Sequence, residues 1–260
     1  MKNFVVYLQA RIGSTRLPGK VLLDINGVPM IKRQIDRILE SKEINGLVVL
    51  IPDSAENDSL ALVLKKFGVE IFRGSEDDVL QRFVDASKTF MSHNIIRITA
   101  DCPLIMPDIL DDMVRVFSEK NPDYLSNTLI ETYPDGLDIE IFSTASLRKL
   151  LSLNLGVLER EHVTLGIYTR PHMFTLENFK SAIDLSRQRW TVDYPDDFEF
   201  VKGVFEHYRG MENNFRVPDV LNYIELNPSL NSNKSSPDLR HISLNIHHKE
   251  EPGLQRGDES

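Results

Sequence analysis

The sequence predicts an α/β fold with a mostly parallel central sheet and helices on both faces. Apolar, strand-like segments alternate with helix-like segments over the first half of the chain, which is the pattern of helices that connect parallel strands. The 260 residues, of which 41% are hydrophobic, suffice for one domain with a large core. Such sheets bind ligands at the carboxyl ends of their strands, where the strand order reverses.

Four strands and four helices are predicted in the first half. The predicted strands, which are short and apolar, are 3–10, 46–52, 69–72 and 94–99. The predicted helices, which alternate with them, are 29–41, 56–68, 75–90 and 108–117. The apolar face of the first helix comprises Ile31, Ile35, Ile38 and Leu39. Gly68 is a typical helix end, and Ser75 with the acids after it suits a helix start.

The pattern becomes less regular after Tyr124. Segment 123–143 mixes strand-like pieces with turn residues. The later predicted elements are strands at 174–179 and 189–195 and helices at 196–208 and 217–228. We therefore predict one domain over 1–228, with an irregular region at 125–170, and a flexible polar tail at 229–260.

Charge and composition exclude several classes of protein. The formal charge of -9 argues against broad electrostatic binding of nucleic acid or anionic membranes, so neither is an expected partner. The lone Cys102 excludes an intrachain disulfide or a zinc site with several cysteines. Arg11 interrupts the early apolar stretch, which lacks the length of a signal peptide. Because no apolar run approaches the ~20 residues of a membrane span, we expect a cytoplasmic protein.

A cationic loop, LQARIGSTRLPGK, occupies residues 8–20 after the first predicted strand. Its glycines let the backbone approach a ligand, and its N–H groups and hydroxyls can donate to an anion. Arginine binds phosphate oxygens in a bidentate manner, and lysine binds them as a point charge. The residues expected at phosphate are Arg11, Gly13, Ser14, Arg16 and Lys20. A solvated basic turn is the alternative, since neither common phosphate-loop signature is present.

Two aspartates follow or end other predicted strands. Asp101 comes just after strand 94–99, and Asp193 lies near the end of strand 189–195. A carboxylate at such a position, beside a cationic loop, suits a hard divalent cation. Each aspartate could instead cap the helix that follows it. Cys102 is expected to pack as a small apolar side chain.

The loop QARIGSTRLPGK resembles the signature loop of nucleotidyltransferases that activate sugars with CTP. These include the cytidylyltransferases for 3-deoxy-manno-octulosonate and for sialic-acid-type sugars. Segments similar to the spore-coat polysaccharide branch of that superfamily follow in order up to residue 200: RGSEDDVLQRF, RITADCPLI, DYLSNT, YPDGLDIEIFS, EREHVT and RWTVDYPDDF. The resemblance implies a Rossmann-like, GT-A-like nucleotidyltransferase fold, and a homodimer.

The resemblance also implies ligands and the residues that hold them. Mg²⁺ would be bound by Asp101 and Asp193. The triphosphate of CTP would be bound by the loop residues Arg11, Ser14, Arg16 and Lys20. Ala10–Arg11 stands where sugar-1-phosphate enzymes carry Gly-Gly, which favours CTP by analogy.

Four further residues are expected at the nucleotide. Gln9 and Ala10 leave the first strand where a base could lie against the backbone. Arg73 and Arg82 match positions that line the pocket in the family. For Arg82, a solvated position on its helix is the alternative.

The acceptor site is expected in the irregular region, because loops usually carry specificity. Its candidate residues are Asn127, Asp138, Glu140, Glu161 and His162. His162 could bind an acceptor hydroxyl or act as a base. A hydrogen-bonded structural histidine is the alternative.

The predicted reaction transfers CMP from CTP to an acidic sugar or sugar phosphate and releases pyrophosphate, for surface polysaccharide biosynthesis. The candidate catalytic residues are Arg11, Arg16, Lys20 and Asp101, because positioning and electrostatic stabilisation carry such reactions. The alternative enzyme is a GT-A-type glycosyltransferase. Those enzymes usually show Asp-x-Asp, whereas TADCP has one carboxylate. A nucleotide-sensing or scaffold protein without activity is the non-enzyme alternative.

Overall fold

The computed structural model describes residues 3–230, so the predicted tail falls almost wholly outside the described residues. The strands, in chain order, are β1 (Phe4–Gln9), β2 (Asp24–Ile25), β3 (Val28–Pro29), β4 (Gly46–Pro52), β5 (Glu70–Gly74), β6 (Asn94–Thr99), β7 (Tyr124–Ser126), β8 (Glu140–Ser143) and β9 (Leu176–Asn178). The α-helices are α1 (Met30–Leu39), α2 (Asp58–Lys66), α3 (Val79–Thr89), α4 (Pro107–Lys120), α5 (Thr144–Leu151), α6 (Val157–Glu161), α7 (Leu165–Tyr168), α8 (Pro195–His207) and α9 (Val217–Leu226). None of these helices has the length and apolar composition that spanning a membrane requires.

The centre of the fold is a seven-stranded sheet in the order β5-β4-β1-β6-β8-β7-β9. β1 pairs in parallel with β4 and with β6, whereas β8 runs antiparallel to both of its neighbours. The chain moves outward from β1 to β4 and β5 and then returns to the other side of β1 as β6. The strand order therefore reverses between β1 and β6, and a crevice is expected at their carboxyl ends.

The alternation of side chains along β1 explains why helices cover both faces. Phe4, Val6 and Leu8 belong to one buried cluster, and Val5 and Tyr7 belong to the other, because successive side chains of a strand point to opposite faces. The first cluster is completed by α1, α2, α4, α8 and α9 and the second by α3, α5 and α7. The predicted α/β class with a mostly parallel sheet is confirmed.

Helix boundaries follow local chemistry. Gly68, at φ +69, donates its N–H to the carbonyl of Lys65 and ends α2 as predicted. The helix predicted from Ser75 begins instead at Val79, because the carboxylate of Asp78 accepts the N–H of Gln81 and so forms the N-cap.

Two predictions about the fold are wrong. Segment 189–195 is not a strand: its backbone pairs with loops, through a single bridge between Arg189 and Asp135 and a bond from the N–H of Val192 to the carbonyl of Asp101. Leu39 is 52% exposed. At about 100° per residue it lies about 40° beyond the arc that Ile31, Ile35 and Ile38 define.

Gly136 permits the close packing of two loops that precede the candidate site. Its φ is +105, and an added Cβ would lie 2.4 Å from the nitrogen of Thr191 and 2.5 Å from the carbonyl carbon of Trp190. Trp190 is fully buried, and its backbone N–H donates to the carbonyl of Asp135. The loop that contains Gly136 thus fixes the path of the chain just before Asp193.

We expect Gly136→Ala to lower the free energy of unfolding by about 2 kcal/mol or more, because backbone strain and a steric clash both oppose the new methyl group. Gly210→Ala is the matched control, since Gly210 has φ +85 and no atom within 4 Å of an added Cβ. The control substitution should lower the free energy of unfolding by about 1 kcal/mol, because only the backbone conformation opposes the new methyl group. Urea unfolding measures both variants, and equal losses would contradict the packing argument.

Candidate active site

A cavity of about 700 Å³ lies at the carboxyl ends of β1 and β6, where the strand order reverses. We call it the main cavity. Most of the residues predicted for the nucleotide and metal site line it, together with two predicted for the acceptor: Gln9, Ala10, Arg11, Gly13, Ser14, Arg16, Lys20, Arg82, Asp101, Glu161, His162 and Asp193. The fold therefore brings together side chains that are far apart in the sequence.

Hydrogen bonds donated by backbone N–H groups hold the cationic loop in place. The N–H of Ile12 donates to Asn57 Oδ1 at 2.9 Å, and the N–H of Gly19 donates to the carbonyl of Ile12 at 3.2 Å. Gly19 adopts φ 67 and begins a short 3₁₀ helix, Lys20–Leu22. This left-handed turn suits glycine, and the side chain of Lys20, the next residue, lines the main cavity.

Lys20 links three distant parts of the chain. Its Nζ lies 3.3 Å from Asp101 Oδ2, 2.8 Å from the carbonyl oxygen of Val192 and 3.0 Å from Asp193 Oδ1. The two aspartates are 81 and 173 residues away in the sequence. The predicted convergence of a loop cation with both carboxylates is thus present.

These charges shift each other's ionisation. Burial opposes the charge of Lys20, but Asp101 and Asp193 more than offset it, so the pKa of the ammonium group is raised. Burial likewise opposes the charge of Asp101, but Lys20 and the hydroxyl of Thr99 more than offset it and lower the pKa of the carboxyl group. Both groups are therefore charged near neutral pH.

Asp193 is shared among three cations. Arg16 Nη2 lies 2.8 Å from its Oδ1, and Arg189 Nη2 lies 2.8 Å from its Oδ2; Lys20 is the third. Arg189 also pairs with Asp135 at 2.8 Å and with Asp197 at 3.2 Å. Arg189 is not predicted from the sequence, because its role depends on partners that only the tertiary fold assembles.

Neither aspartate is a helix cap, so that alternative is wrong. The N-cap of α4 is Met106, and the N-cap of α8 is Tyr194. At the start of α8 the backbone N–H groups of Asp193 and Tyr194 are accepted by Asp197 instead. The carboxylates of Asp101 and Asp193 are consequently available to the main cavity.

The oxygens around Lys20 suit a hard cation. Two carboxylate oxygens and one carbonyl oxygen converge on a single positive charge, and oxygen donors are what Mg²⁺ prefers. Within residues 3–230, no group of three or more histidine, cysteine, aspartate or glutamate side chains could hold a metal alone. Mg²⁺ usually keeps waters and takes substrate phosphates as further ligands, so this pair of aspartates fits that ion.

The two arginines that the resemblance assigned to the nucleotide pocket lie in different surroundings. Arg82 is 3% exposed and donates to the carbonyl of Ser75, so the solvated alternative is wrong. Burial and then the charge of Arg11 lower the pKa of Arg82 to about 10. Arg73 is not among the residues that line the main cavity; it pairs with Asp58 at 2.6 Å.

A second cavity of about 430 Å³ adjoins the main one. Arg97, Thr99 and His162 line both. Of the predicted acceptor residues, Asp138, Glu140 and His162 line the second cavity.

Asn127 and Cys102 have packing roles. Asn127 is buried and does not line either cavity; its amide bonds to the backbone of Leu137 and Ile139. Cys102 is buried as predicted, and burial with the charge of Asp101 raises the pKa of its thiol well above the ordinary value. A neutral thiol of this kind is a poor nucleophile.

Comparison with known proteins identifies the family. A family model described as cytidylyltransferase matches residues 5–223. The chain belongs to the cytidylyltransferase family. A solved cytidylyltransferase from Leptospira borgpetersenii is 34% identical and superposes with a TM-score of 0.85, covering 91% of this chain and 99% of that one.

Two curated proteins are also similar to this chain. The spore coat polysaccharide biosynthesis protein SpsF of Bacillus subtilis is 30% identical over 236 residues, which is 88% of this chain and 96% of the relative. A 3-deoxy-manno-octulosonate cytidylyltransferase of Chlorobium chlorochromatii is 29% identical over 135 residues, which is 51% of this chain and 53% of that protein. The predicted resemblance is therefore confirmed, and the chain is a nucleotidyltransferase of this family.

The ion pairs of Lys20 predict a pH-dependent stability difference between the native protein and Lys20→Met. Because the pKa of Asp101 is lowered on folding, its stabilising contribution is complete above its ordinary value of 3.8 and is lost as pH falls through the lowered pKa. Because the pKa of Lys20 is raised, its contribution is complete below 10.5 and is lost only as pH rises through the raised pKa. Lys20→Met should therefore cost about 1–3 kcal/mol at neutral pH.

Urea unfolding of both proteins in EDTA measures this difference across the pH range. Below the ordinary pKa of Asp101, the difference in free energy of unfolding between the two proteins should shrink, because a protonated carboxyl group forms no ion pair with Lys20. A gap of the same size in acid and at neutral pH would contradict the assigned ion pairs.

Proposed function

We propose that this cytidylyltransferase transfers CMP from CTP to an acidic sugar or sugar phosphate, with Mg²⁺ bound by Asp101 and Asp193. The observation that carries the proposal is the convergence of Arg16 and Lys20 from the first loop on these two carboxylates, at the edge of one cavity. A metal-bound triphosphate presents both charges: negative oxygens for the cations and a positive ion for the carboxylates.

The cations act on the leaving group. An acceptor oxygen attacks the α-phosphorus, the new oxygen–phosphorus bond forms, and the bond from the α-phosphorus to the bridging oxygen breaks as pyrophosphate leaves. Arg11, Arg16 and Lys20 stabilise the negative charge that develops on pyrophosphate. Mg²⁺ held by Asp101 and Asp193 would supply further charge neutralisation.

The second cavity is the proposed acceptor site. It shares Arg97, Thr99 and His162 with the main cavity, so an acceptor bound there would reach the α-phosphorus at their boundary. A sugar phosphate attacks through a phosphate oxygen that has no proton to lose, whereas a sugar hydroxyl must give one up. His162 is exposed at this boundary and is the proposed proton acceptor in that case. The sugar acid named for the Chlorobium relative supports an acidic acceptor.

A pyrophosphate-release assay with Mg²⁺, a panel of nucleoside triphosphates and a panel of sugar acids and sugar phosphates tests the proposal. We expect release that depends on CTP and on one acceptor class. Sugar transfer from a nucleotide-sugar without pyrophosphate would instead favour a glycosyltransferase. Saturable CTP binding without turnover on any acceptor would favour a sensing role.

In the same assay, Arg16→Ala should lower turnover by about 10- to 100-fold, because one charge-assisted contact to the leaving group is lost. Arg115→Ala is the matched control, since Arg115 lies on α4 and pairs with Glu43 at 3.3 Å. Full activity in Arg16→Ala would remove this side chain from the phosphate site.

Asp101→Asn should weaken Mn²⁺ binding in the presence of CTP by about tenfold or more, because a charged ligand becomes neutral. Electron paramagnetic resonance of free Mn²⁺ measures the binding without turnover. Asp85→Asn is the control, since Asp85 lies on α3 and pairs with Lys88. Equal Mn²⁺ affinity in the two variants would exclude Asp101 as a ligand.

A further inference from the structure

Arg97 is a charged residue in the middle of an apolar strand. It lies on β6, opposite Tyr7 of β1 and Glu140 of β8, and it lines both cavities. Its sequence pattern predicts only a strand position for it. An arginine so placed between two buried strands requires partners, because an unpaired charge is costly there.

The guanidinium group of Arg97 is bound on two sides. Its Nε and Nη2 donate to Gln9 Oε1 at 3.2 and 3.1 Å. Its Nη1 donates to Glu140 Oε2, and the other oxygen of that carboxylate accepts the hydroxyls of Tyr124 and Thr164. Tyr124, Glu140 and Thr164 are buried. This network fixes the guanidinium group firmly in the sheet.

The network also fixes the polarity of the Gln9 amide. A flipped amide would turn its NH₂ group toward the donors of Arg97, so the carbonyl oxygen must face the arginine. The NH₂ group is then left to the main cavity, which Gln9 lines. Within residues 3–230, the hydrogen bonds of the Gln9 side chain are the two that its oxygen accepts from Arg97.

We propose that Arg97 and Glu140 are positioning residues that hold Gln9 as a hydrogen-bond donor to the bound nucleotide. The inference rests on the proposed function, because it takes CTP as the ligand of the main cavity. The atom that Gln9 meets is a hydrogen-bond acceptor. The cytosine carbonyl oxygen, the ring nitrogen N3 and the phosphate oxygens all have that chemistry.

Two substitutions of Gln9 separate this role from a packing role. Gln9→Met keeps the length of the side chain and removes the amide. Gln9→Glu keeps the shape and still accepts from Arg97, but presents a carboxylate oxygen where the NH₂ group was. If Gln9 only packs against Arg97, Gln9→Glu is the milder change, because an ion pair replaces the contact of Arg97 with a neutral amide. If Gln9 donates to the nucleotide, Gln9→Glu is the more severe change, because two acceptors then face each other.

Isothermal titration calorimetry with Mg²⁺-CTP measures the effect. We expect about a tenfold loss of affinity for Gln9→Met, the size of one hydrogen bond, and a larger loss for Gln9→Glu. Arg97→Lys keeps the charge next to Glu140 but loses the paired contact to Gln9. As a single substitution it should therefore weaken the binding of Mg²⁺-CTP. In the Gln9→Met background it should add nothing further. Gln81→Met, on α3 with its amide on Asp85, should bind as the native protein does.

Titrations with CMP and with tripolyphosphate identify the part of CTP that accepts the hydrogen bond from Gln9. A loss for CTP and CMP but not for tripolyphosphate would place the donor at the base or ribose. A loss that extends to tripolyphosphate would place it at phosphate. Both outcomes support the proposal.

Unchanged affinity for all three ligands in Gln9→Met and Gln9→Glu would overturn the role of Gln9 while leaving the CTP proposal intact. Additive losses in the double variant would overturn the positioning role of Arg97. A native protein that is folded by circular dichroism and yet fails to bind Mg²⁺-CTP would overturn both proposals.

Discussion

The ammonium group of Lys20 is the point on which the site depends. It holds oxygens of Asp101, Val192 and Asp193 within 3.3 Å, and so joins the first loop, the loop after β6 and the segment before α8. Each of these segments lies outside regular strands at the carboxyl edge of the sheet. Without a shared cation, two carboxylates so close together would repel each other. Lys20 thus both positions the two aspartates and offsets their negative charge.

The same interaction explains how an acidic chain keeps a cluster of cations. The chain has a net charge of -9, but Arg16, Lys20 and Arg189 each pair with Asp193. Positive and negative side chains therefore neutralise each other within one site. A triphosphate with its counter-cation offers the two charges that these side chains now supply to one another. Local pairing, rather than the net charge of the protein, sets the ligand class.

The sequence predicts well what depends on local pattern. The apolar strands and the periodic helices of the first half are present, because side-chain alternation and helical spacing are properties of short segments. Asp101 and Asp193, predicted as metal ligands from motif and position, both line the main cavity. The strand at 189–195 was wrong because its hydrogen bonds go to the loops at Asp101 and Asp135, partners that no local pattern reveals. Arg97 and Arg189 were missed for the same reason, although an arginine inside an apolar strand was a visible signal for Arg97.

The central claim is that one metal-bound triphosphate joins the first loop to both aspartates. Anomalous diffraction from a crystal grown with CTP and Mn²⁺ tests it most directly. We expect a Mn²⁺ peak at coordination distance from Asp101 and Asp193, with the triphosphate against Arg16 and Lys20. A peak bound elsewhere, or a triphosphate that leaves Arg16 and Lys20 on their present carboxylate partners, would contradict it.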